Sequence, residues 1–446
     1  MTNKKDDLLR RELFSSKGYY NSCYLKMVVD SPSDFSELNE NLSDSDSALF
    51  FHEYVHYLQD ITTTFGFMNI VNEVDHIKLI NQKIINSKSD AFPVPYKLKK
   101  EDGDIFTNLE NSKTLVGGGA KNNINNFKIV IQSIKKKDIE DIEGVFLFND
   151  THKIKYLFGS YCICETMAYE LEQILYRDQL PSPPNMPYNS GKIVVNLIYP
   201  ELLNDPLNVI ALCDASLMYS HPGMVYYKIL KSMHSESYSP KNPEEIYDYV
   251  KKKIPVNQNG VSNTEDLFTF WGENAKKQFM DYFTTDTLIE NHNWIKRTIE
   301  GAIELRIKCP TFILDLARLG DIRTNILFKA IIKKIGLPLI VNKKDEVFFA
   351  FNSHSEIKNL DPSYFWVFNE IKKLTTEDLR NTGFQCGLKN YCRKTCKDKG
   401  IEDFVDYECQ TAPWNRSNDT YKNLCSFGVI WKTWELKGKS LTTIEE

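Results

Sequence analysis

Two histidines four residues apart, with a glutamate beside the first, are the residues of this chain best suited to chemistry: His52, Glu53 and His56 in the run HEYVH. On a helix of 3.6 residues per turn, positions four apart project from one face, so both imidazoles can reach a single metal ion. Glu53 is then placed to take a proton from a metal-bound water. The pattern is HExxH, in which zinc lowers the pKa of its water and polarises a carbonyl while the carboxylate serves as general base. With 8 histidines in 446 residues, a chance HExxH is expected roughly 0.01 times per chain of this composition. The bland alternative is a solvated or core-satisfied His/Glu pair on an amphipathic helix.

A catalytic zinc takes three protein ligands and leaves one position open. Candidates for the third are Glu165, in the run CETMAYELE, and the trio Glu73, Asp75 and His76 that follows HEYVH. HEYVH and ETMAYELE together resemble the zincin metallopeptidases of gluzincin type, over roughly residues 15–235. Several zincin-like families carry their third ligand on an ExxA(Y/W)xxE helix, which points to Glu165, with the small Ala168 permitting close approach of the metal helix. Thermolysin-type members use a Glu on the helix after HExxH; there Glu73 is slightly early, and Asp75 and His76 are of the wrong type. The residues after His56 read YLQDI and exclude the metzincin pattern HExxHxxGxxH.

The resemblance implies an intracellular zinc-dependent peptidase. It also implies that the strand before the HExxH helix, residues 20–29, takes an extended peptide by β-augmentation. Zincins often add a Tyr or His to stabilise the oxyanion. Tyr169, one turn from Glu165, and His221, in the Ser-His-Pro-Gly break at 220–223, are the candidates, beside their plainer readings as a packing aromatic and a loop histidine.

Periodicity supplies the elements that must position these groups. Residues 20–29 (YNSCYLKMVV) read as a strand, and 46–62 as a helix whose start is capped by Ser43 or Ser45 and suited by Asp44 and Asp46. Gly66 ends or turns that helix, and a second follows over 69–85. Residues 87–126 break the pattern and read as a long loop, part of an insertion over about 87–150. Helices follow at 161–176, at 206–219 resuming through 233, and at 243–253, 265–284, 289–307 and 324–335. The pair LPLIV and EVFFAF around NKKD reads as a hairpin. GGGAK at 117–121 lacks the phosphate-loop spacing and reads as a loop that could form a lid over the cleft. Cys162 and Cys164, at i and i+2, cannot both face a metal.

The C-terminal block concentrates half of the ten cysteines, as Cys386-x5-Cys392-x3-Cys396-x12-Cys409-x15-Cys425. Thiols so clustered suit a structural zinc or an iron–sulfur cluster, although the spacing is not that of a two-knuckle zinc ribbon; reduced, unliganded thiols and disulfides are the alternatives. Arg393, Lys394, Lys397 and Lys399 nearby would stabilise thiolates. Trp431 and Trp434 are expected to pack the tail onto the body.

Composition sets the outer bounds. With 42% hydrophobic and 26% charged residues and a net charge of −5, the chain is of globular type and shows no nucleic-acid or membrane-surface signal. Without an apolar leader or an 18-residue apolar run, a reducing cytoplasm is expected. The fold class expected is α+β and predominantly helical. A zincin-like domain with a small antiparallel sheet would fill 1–235, a helical region 236–374 and the Cys-rich region 375–446. The partners expected are a protein or peptide substrate and a regulatory partner, and the insertion or the tail would supply the restraint a selective protease needs. A non-catalytic, metal-stabilised sensor or scaffold is the competing reading, in which four rather than three protein ligands surround the metal.

Overall fold

The centre of the molecule is a helix buried on every side, polar residues included. The computed structural model describes residues 12–14, 18–23, 25–35, 41–89, 91–136, 139–257, 260–282, 285–348, 360–361, 363–375, 379, 383–418 and 425–443. Helix α1 (Asp44–Ile61) starts where the Ser43 hydroxyl accepts from the Asp46 N–H, and every residue from Ser47 to Ile61 is buried. Its polar members, His52, Glu53, His56, Gln59 and Asp60, are therefore taken out of water together, which is costly unless partners or an ion receive them.

Before α1 stand β1 (Glu12–Phe14), β2 (Gly18–Asn21) and β3 (Lys26–Val29). The expected strand at 20–29 is thus a hairpin. It is broken by Cys23 and Leu25, both at positive φ (69° and 51°), a conformation that no glycine in the sequence announces. Directly after α1, Thr63 caps α2 (Thr64–Asn86) by accepting from the Gly66 N–H at 3.0 Å. Gly66 accordingly lies in the first turn of α2 and does not end α1. Its lack of a side chain lets the two helices meet, since a Cβ there would fall 2.1 Å from the Asp60 carbonyl oxygen.

The expected loop at 87–126 contains β4 (Ala91–Val94) and helix α3 (Asp104–Val116). A meander of β5 (Lys128–Ile134), β6 (Ile142–Asn149) and β7 (Ile154–Phe158) follows and leads into α4 (Ser160–Leu175). Next come α5 (Asn185–Tyr188), α6 (Ser190–Ile198), α7 (Pro206–Leu217) and α8 (Pro222–Ser235). The series continues with α9 (Glu244–Lys253), α10 (Thr264–Met280), α11 (Ile289–Lys308), α12 (Phe312–Arg318) and α13 (Ile326–Ile335). Strands β8 (Leu339–Asn342) and β9 (Val347–Phe348) form the expected hairpin, whose positions 349–351 lie outside the described residues. Helix α14 (Ser363–Lys372) precedes the tail.

The chain is α+β and mostly helical. Its largest sheet has the order β1-β2-β3-β8-β9 and is mixed rather than antiparallel, because β8 runs parallel to β3 with Met27 opposite Ile340. Both edges of β2 and of β3 are occupied, by β1, by each other and by β8. Among the described residues, the strand parts of 20–29 therefore offer no open edge for an added peptide strand, contrary to the expectation. Trp434 packs the tail onto the body as expected, donating from Nε1 to the Tyr282 carbonyl at 3.2 Å, whereas the ring contacts of Trp431 are to Trp414 and Phe427 within the tail. Among the described residues no helix is long and apolar enough to cross a membrane.

One buried ion pair fixes the C-terminal end of α1. Arg306 on α11 meets both Asp214 oxygens at 2.7 and 2.8 Å and donates from Nε to the Thr62 carbonyl at 2.8 Å. Removing one partner of a buried pair leaves the other charge uncompensated. Arg306→Leu is expected to lower stability by about 3–5 kcal/mol, read by urea denaturation; a change below ~1 kcal/mol would contradict that role.

Candidate metal centre

Helices α1 and α4 bring three donors together. The ligand atoms of His52, His56 and Glu165 all lie within 4.8 Å of one another, and all three residues are buried. A Glu165 oxygen stands 3.4 Å from His52 Nε2 and 3.8 Å from His56 Nε2. These distances exceed those of a charge-assisted hydrogen bond. They are close to the separation of two ligands on one tetrahedral zinc, about 3.3 Å for bonds of 2.0–2.1 Å. Among the described residues neither Glu165 oxygen has a hydrogen-bond partner, and both are buried. A bare carboxylate in that position is costly; a cation between it and the imidazoles would remove the cost. The donor set, the spacing and the unsatisfied oxygens fit a divalent metal.

The far side of each imidazole is held as well. His52 Nδ1 lies 2.9 Å from Glu172 Oε2, and His56 Nδ1 lies 2.8 Å from Gln59 Oε1. Gln59 donates from Nε2 to the Cys164 carbonyl at 3.0 Å, which fixes its amide and makes Oε1 the acceptor for His56. Each ring thus keeps a proton on Nδ1, which leaves Nε2, the atom that faces Glu165, as the position a metal would take in place of a second proton. Burial disfavours charge on His52, but the Glu165 and Glu172 carboxylates outweigh it and hold its pKa well above the usual histidine range. An environment this anionic also favours a dication. Glu172→Gln is expected to lower zinc affinity about 10- to 100-fold, as loss of an outer partner does. Competition with a chromophoric chelator measures it, and unchanged affinity would exclude an orienting role.

Glu53 is fully buried beside His52, and a Cβ on Gly18 of β2 would come within 3.3 Å of its Oε1. Glycine at position 18 therefore lets the strand run close to the carboxylate. The other candidate ligands go elsewhere: Glu73 pairs with Lys372, Asp75 feels Lys78, and His76 is buried where burial and the Lys372 and Lys113 charges lower its pKa.

Two residues that the sequence did not single out stand over the centre. Tyr188, at the end of α5, is buried with its ring 6.2 Å from that of His52. Lys121 donates to the Tyr188 hydroxyl at 3.2 Å; burial lowers its pKa, and the Glu165 and Glu53 charges act the other way. The GGGAK segment is fastened at both ends, by bridges pairing Gly118 with Leu157 and Asn122 with Met186.

Of the expected oxyanion residues, Tyr169 packs edge-on against Tyr188 at 6.2 Å. His221 caps α8, accepting from the Met224 N–H at Nδ1 and lying 2.8 Å from the Glu143 carbonyl at Nε2. Cys162 and Cys164 are buried, and burial pushes the Cys162 thiol up to about 12. The five tail cysteines are buried free thiols. Among the described residues, His52, His56 and Glu165 are the only three metal-type donors within 4.8 Å of one another. Compared with protein-family models, with curated proteins and with solved structures, the chain matches none of them.

Proposed function

We infer that the chain is a metal-dependent hydrolase acting on peptide bonds, with zinc the metal best suited to the ligand set. The observation that carries the reading is the convergence of His52, His56 and Glu165, with His52 Nε2 and both Glu165 oxygens buried and without a hydrogen-bond partner among the described residues. Three protein donors are the number that a catalytic zinc takes, and neither Asp75 nor His76 adds a fourth. When bound there, such an ion supplies Lewis acidity and makes water a nucleophile near neutral pH.

The chain's own groups do the rest. Glu53 accepts the proton of the attacking water and passes it to the leaving amine. Glu172 and Gln59 hold the two imidazoles in the tautomer that presents Nε2. Tyr188, with Lys121 at its hydroxyl, is the better-placed donor to a developing oxyanion than Tyr169 or His221. Because His52 and His56 are only 1% exposed, a substrate reaches them after covering residues move.

Near-complete burial is also the one observation that favours the competing reading, a structural metal in a sensor or scaffold. Metal-loaded protein incubated with a fluorogenic peptide library separates the two. Cleavage that a chelator abolishes and added zinc restores supports the hydrolase; no cleavage by fully loaded protein supports the scaffold.

A further inference from the structure

The tail gathers five thiols that the first site does not use. Cys386, Cys392, Cys396, Cys409 and Cys425 are each at most 8% exposed. Buried cysteine alone is ordinary; the way these are presented is not. In the helix Lys389–Lys399 the only buried residues are Cys392 and Cys396, one turn apart, amid Lys, Arg, Asn and Asp. A helix of that length with so little apolar surface is marginal by itself. In the helix Tyr407–Thr411 the only buried residue is Cys409. Cys425 caps the helix Ser426–Thr433, its sulfur accepting from the Gly428 N–H at 3.3 Å.

The backbone draws these pieces to one place. Cys386 donates from its N–H to the Gln410 carbonyl at 2.8 Å, which sets it beside Cys409. Cys425 is the neighbour that does most to push the Cys409 thiol up, and burial adds to it, which sets these two thiols near each other. Burial, and then the neighbouring Cys386, Cys409 and Cys396, push the Cys392 thiol above its ordinary value. The helices Lys389–Lys399 and Tyr407–Thr411 therefore bury cysteines alone, toward the region that also holds Cys386 and Cys425.

We propose that these cysteines hold a thiolate-ligated metal centre, separate from the His52, His56 and Glu165 site, that fastens the helix Lys389–Lys399 to the rest of the tail. Thiolate sets of this size take zinc or an iron–sulfur cluster. A single tetrahedral zinc would draw four sulfurs to roughly 3.8 Å of one another, and no three of these thiols lie within 4.8 Å. Either side chains turn inward on binding, or the sulfurs enclose the larger cluster. Arg416 near Cys409 and the N–H donated to Cys425 offset the added negative charge.

The test is independent of any activity. Protein prepared under reducing, oxygen-free conditions is assayed for zinc, iron and acid-labile sulfide as wild type, Cys392→Ser, Cys409→Ser and His56→Ala. The expected result is loss of zinc, or of iron together with sulfide, in both serine variants and its retention in His56→Ala. Zinc loss identifies a mononuclear site, and loss of iron with sulfide a cluster. Equal metal and sulfide in wild type and serine variants overturns the proposal, as does a Cys409–Cys425 disulfide in the wild type. Should the serine variants not fold, X-ray absorption on His56→Ala decides: a sulfur-rich metal shell supports the centre, and a shell without sulfur, or no metal, overturns it.

Discussion

Glu53→Gln is expected to retain the metal and to lose turnover by roughly 10²- to 10⁴-fold, the range that a positioned general base contributes. The substitution keeps the volume and the acceptor oxygen but removes the group able to take a proton. Glu53 is fully buried, and Gly18 approaches it closely, so a side chain of the same shape is the only replacement that tests chemistry without disturbing packing. Peptide cleavage and metal content measured on one preparation separate the outcomes. Intact metal with unchanged turnover would remove Glu53 from the mechanism, and loss of the metal would make it a structural residue.

Glu165→Leu is expected to weaken zinc binding by more than about 100-fold, beyond the effect of any outer partner. The same change should leave the metal-free protein at least as stable as metal-free wild type. Both Glu165 oxygens are buried without a hydrogen-bond donor among the described residues, so an apolar side chain of similar volume removes a desolvation cost. Zinc titration against a competing chelator and urea denaturation with and without zinc read the two halves. A variant that binds zinc like wild type would show that the third ligand lies elsewhere.

The half of the site that follows from local spacing was legible in the sequence, and the half assembled by distant contacts was not. His52 and His56 share a face because any helix places them so, and Ser43 with its acidic neighbours marked the start of that helix. Glu165 was reached through its helix and a family resemblance. Glu172 lies seven residues on, two turns along the same face, and that heptad spacing was the available signal for its contact with His52. Lys121 and Tyr188 carried no such signal, because a bridge between Asn122 and Met186 brings them together across the fold.

The errors in the fold have similar causes. The α3 sequence DIFTNLENSKTLV is rich in Thr, Asn and Ser, weak helix formers, and starts behind Gly103 at φ 63°. Strand β5 is exposed or half-buried throughout, so it shows no apolar alternation to read. The parallel pairing of β3 with β8 spans most of the chain, and no local pattern announces it.

The central claim is that one metal ion sits on His52, His56 and Glu165. Metal quantification of wild type beside His56→Ala, both purified folded and without added chelator, tests it most directly. One metal ion fewer per chain is expected in the variant, with the metal content of the tail unchanged. Equal metal content in the two proteins would contradict it.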